Sequence, residues 1–170
     1  MKKVAVFGNA GAGKSTLAKQ LASATGLPLC SLDKLQFRVG GAPVPQEEFL
    51  AQHQAVLQQD QWVIDGFGGV EAAWQRFAAA DTLVYLDLPL WRHAWWVTKR
   101  LVKGLFVTPE GWPEKSPILK STWNSYKVLW LCHRNLTPAY RKLVQEQRAT
   151  KTVYHLTSPA EIRQFLRQLR

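Results

Sequence analysis

The chain has 170 residues, 46% of them apolar and 20% charged, which suits one globular domain with its own core and excludes a disordered polymer. No stretch reaches the roughly 18 uninterrupted apolar residues of a membrane span. The start, Met1-Lys2-Lys3-Val4, carries no apolar leader, and two cysteines, Cys30 and Cys132, are too few for a disulfide framework. A cytoplasmic location without a membrane partner is therefore expected. The net charge of +10 is uneven: residues 91 to 148 hold 11 of the 22 Lys and Arg, 3 of the 12 Asp and Glu, and six of the eight Trp. That combination suits a surface for phosphorylated small molecules, a nucleic-acid surface, or a solvated helical face over a Trp-rich core.

Val4-Ala5-Val6-Phe7 is an apolar run closed by glycine, the pattern of a buried parallel strand. Leu17, Ala18, Leu21 and Ala22 recur at helical spacing until Gly26 and Pro28. Residues 28 to 32 read as a second strand ending at Asp33, and a helix is expected from about 46 to 58. Trp62-Val63-Ile64 is a third strand, followed by a short helix containing Ala73, Trp74 and Phe77. Residues 82 to 86 form a fourth strand ending at Asp87, and Pro89 opens a long helix at a first-turn position. From Gly104 to Pro117 glycines and prolines break any regular pattern. Two helices are expected next, near 119–133 and 138–147, then a last strand over 152–156. Ser158 and Glu161 stand in capping-box positions before a terminal helix. Strands alternating with helices imply a parallel sheet with right-handed crossovers in a single domain, 1–170, carrying a basic, Trp-rich insertion at about 91–148.

Gly8-Asn9-Ala10-Gly11-Ala12-Gly13-Lys14-Ser15 matches a phosphate-binding loop at every fixed position and lies between a strand and a helix. Glycines let successive backbone N–H groups converge on phosphate, and the helix that starts near Lys14 points its positive end at the same anion. Lys14 would neutralise the outer phosphates, and the Ser15 hydroxyl would ligate Mg²⁺. A second metal-side carboxylate is needed. Asp65 is preferred because it begins a glycine-containing turn; Asp87, followed by Leu88-Pro89, suits the metal side or a helix cap. Asp33 also ends a strand, and all three carboxylates are expected in one crevice at the carboxyl ends of the strands.

The residues Gly8 to Thr16, Leu32-Asp33, Trp62-Val63-Ile64-Asp65-Gly66 and Leu86-Asp87-Leu88-Pro89, with the basic helix reaching Lys99-Arg100, resemble the nucleoside monophosphate kinase superfamily of P-loop proteins. The resemblance extends to the small adenylate-kinase-related proteins labelled DNA topology modulation kinases and covers nearly the whole chain. It implies an α/β P-loop NTPase fold, a five-stranded parallel sheet in order 2-3-1-4-5 with a helical lid, and ATP and Mg²⁺ as cofactors. It implies nucleotide contacts from Gly8, Asn9, Ala10, Gly11, Ala12, Gly13, Lys14, Ser15 and Thr16, and metal contacts from Ser15 and Asp65. Asp33 falls where related kinases keep an aspartate near the acceptor hydroxyl, and Arg100 falls near the lid arginines. Gly68-Gly69 stand in place of the Pro-Arg of the adenylate kinase motif, and Trp96 where another arginine often stands, so AMP is not the implied acceptor.

Lys14, Arg100 and Asp33 are thus the expected catalytic residues, and Asp33, Arg38 and Phe67 the acceptor-side ones, with Arg38 able to grip an anion bidentately. Arg134 and Arg141 are weaker lid candidates. Cys132-His133 lacks partners at zinc spacing. The expected activity is transfer of the γ-phosphoryl group of Mg·ATP to a small nucleotide or hydroxylated acceptor. The alternative is a nucleic-acid-associated P-loop protein with weak or regulatory ATPase activity. A GTPase switch ranks last, since the Asn-Lys-x-Asp guanine-reading sequence occurs nowhere in the chain.

Overall fold

The computed structural model describes residues 1–38, 42–106 and 118–169, leaving aside the side chains at 97, 100–106, 118–125 and 128. Five strands, β1 (Lys3–Gly8), β2 (Leu29–Ser31), β3 (Trp62–Asp65), β4 (Thr82–Leu86) and β5 (Thr152–Leu156), form one parallel sheet in the order β2-β3-β1-β4-β5. The helices are α1 (Lys14–Thr25), α2 (Leu32–Gln36), α3 (Gln46–Leu57), α4 (Val70–Ala79), α5 (Leu90–Phe106), α6 (Ile118–Gln147) and α7 (Pro159–Gln168).

Strand periodicity divides the core in two. Ala5, Phe7, Trp62, Ile64, Leu83 and Tyr85 face one side, where Phe49, Phe77, Tyr140 and Val144 from α3, α4 and α6 cover them. Val4, Val6, Val63, Val84 and Leu86 face the other, against Leu17, Ala18 and Leu21 of α1 and Phe165 of α7. The first layer is aromatic: Phe7 packs on Phe77 and Tyr85 at centroid distances of 4.4 and 5.0 Å, with Tyr140 edge-on at 5.1 Å. Both faces of the central strands are buried, which is why they read as unbroken apolar runs.

Two expectations are corrected. The second strand ends at Ser31, and Asp33 lies in the first turn of α2 rather than at a strand end. The two helices expected at 119–133 and 138–147 are one, α6, with Pro138 inside it. An internal proline costs about 3 kcal/mol in an isolated helix. Here the helix continues because Tyr140 and Val144, past the proline, are buried in the aromatic core and an ion pair holds its second half.

That ion pair involves Asp87, just past β4. Arg141 donates from Nε and Nη2 to its two oxygens at 2.7 and 3.0 Å, and His155 of β5 donates from Nε2 at 2.9 Å. Burial works to raise the Asp87 pKa, but the hydrogen bonds from Arg141 and His155 outweigh it and leave it below the usual carboxylate value. A depressed folded-state pKa gives stability that is present above the unfolded value, near 3.9, and lost as pH falls through the folded one. Asp87→Asn should therefore cost about 1–2 kcal/mol at neutral pH, moderated because Arg141 is half exposed. Urea titrations should show the gap from wild type closing below about pH 4.

Candidate functional site

The glycine-rich loop leaves β1 through Gly8, whose Cβ, were there one, would stand 2.4 Å from the Leu86 carbonyl oxygen. Only glycine lets β1 and β4 approach that closely as the chain turns (φ +147°). α1 then begins at Lys14, with Ser15 and Thr16 exposed on its first turn. Lys14 Nζ donates to the Asn9 carbonyl at 2.9 Å. The Asn9 side chain accepts from Ala10 N at 2.7 Å and donates to the Leu129 carbonyl of α6 at 3.3 Å.

From α5, His93 is buried beside the backbone of Ala10 and Gly11 and its Nε2 bonds the Leu88 carbonyl at 2.9 Å. Burial keeps its pKa below the usual histidine value, so the ring is neutral at neutral pH. The Trp96 ring comes within 3.6 Å of where a Gly13 Cβ would stand. Both long helices therefore touch the loop. The side chain of Arg100, the expected lid arginine, lies outside the described residues, as does most of the expected lid loop from Gly104 to Pro117.

At the ends of β1 and β3 the charges converge. Asp65, the last residue of β3, is 1% exposed, and its Oδ1 has no hydrogen-bond partner among the described residues. Burial pulls the Lys14 pKa below its ordinary value, while Asp65 and then Asp33 pull the other way. Desolvation by the surrounding protein pushes the Asp33 carboxyl up although it reaches solvent, and Asp65 adds to the rise; Lys14 and Arg76 oppose it. Asp33 lies against the turn after β3: a Cβ on Gly66 would meet its Oδ1 at 3.3 Å. Asp87 does not join Asp33 and Asp65, because Arg141 and His155 occupy both of its oxygens. Arg141 is likewise committed at the sheet end.

Arg76 and Cys132 also reach the site, and neither stands among the expected site residues. Arg76 of α4 is 1% exposed, and its Nη2 donates to the Gly66 carbonyl at 3.1 Å; Nε and Nη1 have no partner among the described residues. Burial lowers its pKa to about 10 against the opposing pull of Tyr140 and Asp65. A signal was legible, since Ala72, Ala73, Arg76 and Phe77 share the buried stripe of α4. Cys132 lies within electrostatic reach of Lys14, and burial raises its thiol pKa. Nothing in the local pattern marks it. Among the acceptor-side residues, Phe67 is exposed in the turn after Gly66, and Arg38 is held by Glu48 at 2.9 Å.

No family model and no curated protein matches the chain. Among solved structures it is similar to shikimate kinase from Acinetobacter baumannii in complex with shikimate, with a TM-score of 0.64 over 99% of this chain and 90% of that one, at 17% identity. With the strand order, this gives the chain the fold of a P-loop kinase.

The turn that carries Phe67 is closely fitted. Gly68 has φ +69°, and a Cβ there would stand 2.8 Å from Leu32 Cδ1 and 2.9 Å from Phe49 Cζ. Gly68→Ala adds left-handed strain to overpacking, a loss of about 2–4 kcal/mol. A urea midpoint unchanged from wild type would contradict this account of the turn.

Proposed function

We propose that this chain is a phosphotransferase moving the γ-phosphoryl group of Mg·ATP to a small hydroxylated acceptor. One observation carries the reading: a buried aspartate oxygen at the end of β3, without a partner among the described residues, in electrostatic reach of the lysine that begins α1 after the adjacent β1. An unsatisfied buried carboxylate costs stability, and such costs persist where a site needs the group for a ligand. The backbone from Gly8 to Gly13 and the amino end of α1 cradle phosphates, and Lys14, Ser15 and Thr16 hold their outer oxygens.

Ser15 and Asp65 supply oxygen donors of the kind Mg²⁺ takes, and the unpartnered Asp65 oxygen fits that use. When bound, the ion neutralises phosphate charge. Asp33, beside the turn at Gly66, orients the acceptor hydroxyl, with Phe67 and Arg38 at its entrance. Arg100, carried by α5 within the 91–148 segment, stabilises charge on the transferring group as a lid residue. Among the described residues no helix is long and apolar enough to cross a membrane, and we place the reaction in the cytoplasm.

Lys14→Ala should abolish tight binding of ATP while leaving the far-ultraviolet circular dichroism unchanged, because the side chain faces the loop and not either core. Asp65→Asn should retain most ATP affinity yet lower turnover at least a hundredfold, in the range of lost electrostatic transition-state contacts. ADP release measured across a panel of hydroxylated acceptors tests both. Near-normal turnover in Lys14→Ala would remove the loop from the mechanism.

One set of side chains favours the second reading, association with nucleic acid. Trp91 and Trp95 are each 63% exposed on α5 and Trp130 is 57% exposed on α6, with the Arg92 guanidinium 4.6 Å from the Trp91 ring centroid. Aromatic rings among cations can stack bases. That reading requires oligonucleotide binding that weakens steeply with salt and ignores ATP.

A further inference from the structure

We propose that the acceptor is an uncharged or positively charged hydroxyl compound, and not a carboxylate or a phosphate monoester. The proposal rests on the phosphotransferase reading and deepens it by naming the chemistry of the acceptor.

The charge of the chain is polarised in a way its total conceals. Residues 29 to 76, which build β2, α2, α3, β3 and most of α4, contain six acidic residues (Asp33, Glu47, Glu48, Asp60, Asp65 and Glu71) against three basic ones, a net charge of −3 in a chain of +10. Two of the three cations are already engaged by the chain. Arg38 is paired with Glu48 at 2.9 Å. Arg76 is sealed beneath the turn and spends one nitrogen on the Gly66 carbonyl. Lys34 lines a separate cavity beside the edge strand β2, with Leu29, Val56 and Trp62.

What this side does present is acidic and aromatic. Asp33 is exposed against the Gly66 turn, while Asp65 is buried within electrostatic reach of it; desolvation and then Asp65 push the Asp33 carboxyl up. Phe37, one residue past α2, is 50% exposed and is held in place by a bridge to Pro43; Phe67 is 40% and Val70 53% exposed on the turn after Asp65. Carboxylates among exposed rings attract cations and accommodate flat uncharged bodies. They repel an anion that brings no counter-ion. Phosphate chemistry is handled from the opposite side, by the loop and the basic helices. In the transfer, the acceptor oxygen bonds to the γ-phosphorus while the bond from that phosphorus to the β,γ-bridging oxygen breaks. ADP leaves with that electron pair, and the hydroxyl proton passes through Asp33 to solvent.

Pairs on one skeleton that differ by an anionic group test the proposal: adenosine and AMP, methyl shikimate and shikimate, glucosamine and glucosamine 6-phosphate. Each is titrated calorimetrically into the chain with and without a non-hydrolysable Mg·ATP analogue, and each is assayed for ADP release. Within at least one pair, the uncharged or amino member should bind at least tenfold more tightly. Glu48→Gln, which frees Arg38, should narrow that ratio. Equal or tighter binding of the anionic member in every pair would overturn the proposal, and so would failure of every uncharged and amino member to bind. A chain that shows the charge preference but neither binds the ATP analogue nor releases ADP overturns the phosphotransferase reading alone.

Discussion

Buried charge at the carboxyl ends of β1 and β3 is the constraint around which the rest of the structure is arranged. Lys14, Asp65 and Arg76 lie within electrostatic reach of one another, yet no hydrogen bond pairs Asp65 with either cation among the described residues. Lys14 bonds a carbonyl of its own loop, Arg76 bonds the Gly66 carbonyl, and Asp65 keeps an oxygen without a partner. Simple stability would favour apolar replacements at such positions. The fold tolerates the charges because two aliphatic and aromatic layers on either side of the sheet hold the strand ends in place. The turn after Asp65 is held by Arg76, which bonds the Gly66 carbonyl, and by Leu32 and Phe49, which pack against Gly68.

The long helices α5 and α6 are tied to this centre at separate points. Asn9 reaches the Leu129 carbonyl, His93 lies under the loop backbone, and Arg141 clasps Asp87 at the end of β4. Thr98 and Tyr126 bond the two helices to each other. The glycine-rich loop therefore does not sit on the sheet alone: it contacts two helices that carry nine of the 22 Lys and Arg and one of the 12 Asp and Glu. A ligand that reshapes the loop acts directly on Asn9 and His93, and through them on α6 and α5. The outward face of the same helices carries Trp91, Trp95 and Trp130, while Trp96 and His93 face the loop, so one pair of helices separates a loop-facing side from an exposed aromatic one.

Charge is sorted along the chain as well as in space. The basic segment at 91–148 and the acidic segment at 29–76 flank the same sheet, joined through the loop and the ends of β1 and β3. An anionic donor approaching from the basic side and a neutral or cationic acceptor from the acidic side would each meet a favourable field. Fold similarity at 17% identity carries the scaffold and not the acceptor.

The sequence by itself determined the glycine-rich turn between β1 and α1 and the alternation of strands and helices, because both rest on local signals: glycines at fixed spacing, short apolar runs, and turn residues between them; the sheet order, implied by the resemblance to P-loop kinases, is the one observed. It also placed Asp65 at the end of a strand. Its errors came where a local signal competed with packing. Pro138 reads as a helix boundary, yet Tyr140, Val144 and Arg141 draw the chain onward as one helix. Asp87 reads as a second metal-side candidate or a helix cap, and is instead an ion-pair partner, since only the folded chain brings Arg141 from 54 residues away and His155 from 68. The pairing of Arg38 with Glu48 is likewise visible only in the fold. Burial of Arg76 beneath the Gly66 turn, and of Cys132 near Lys14, was decided by the tertiary structure alone, because burial and charge pairing depend on which distant elements meet.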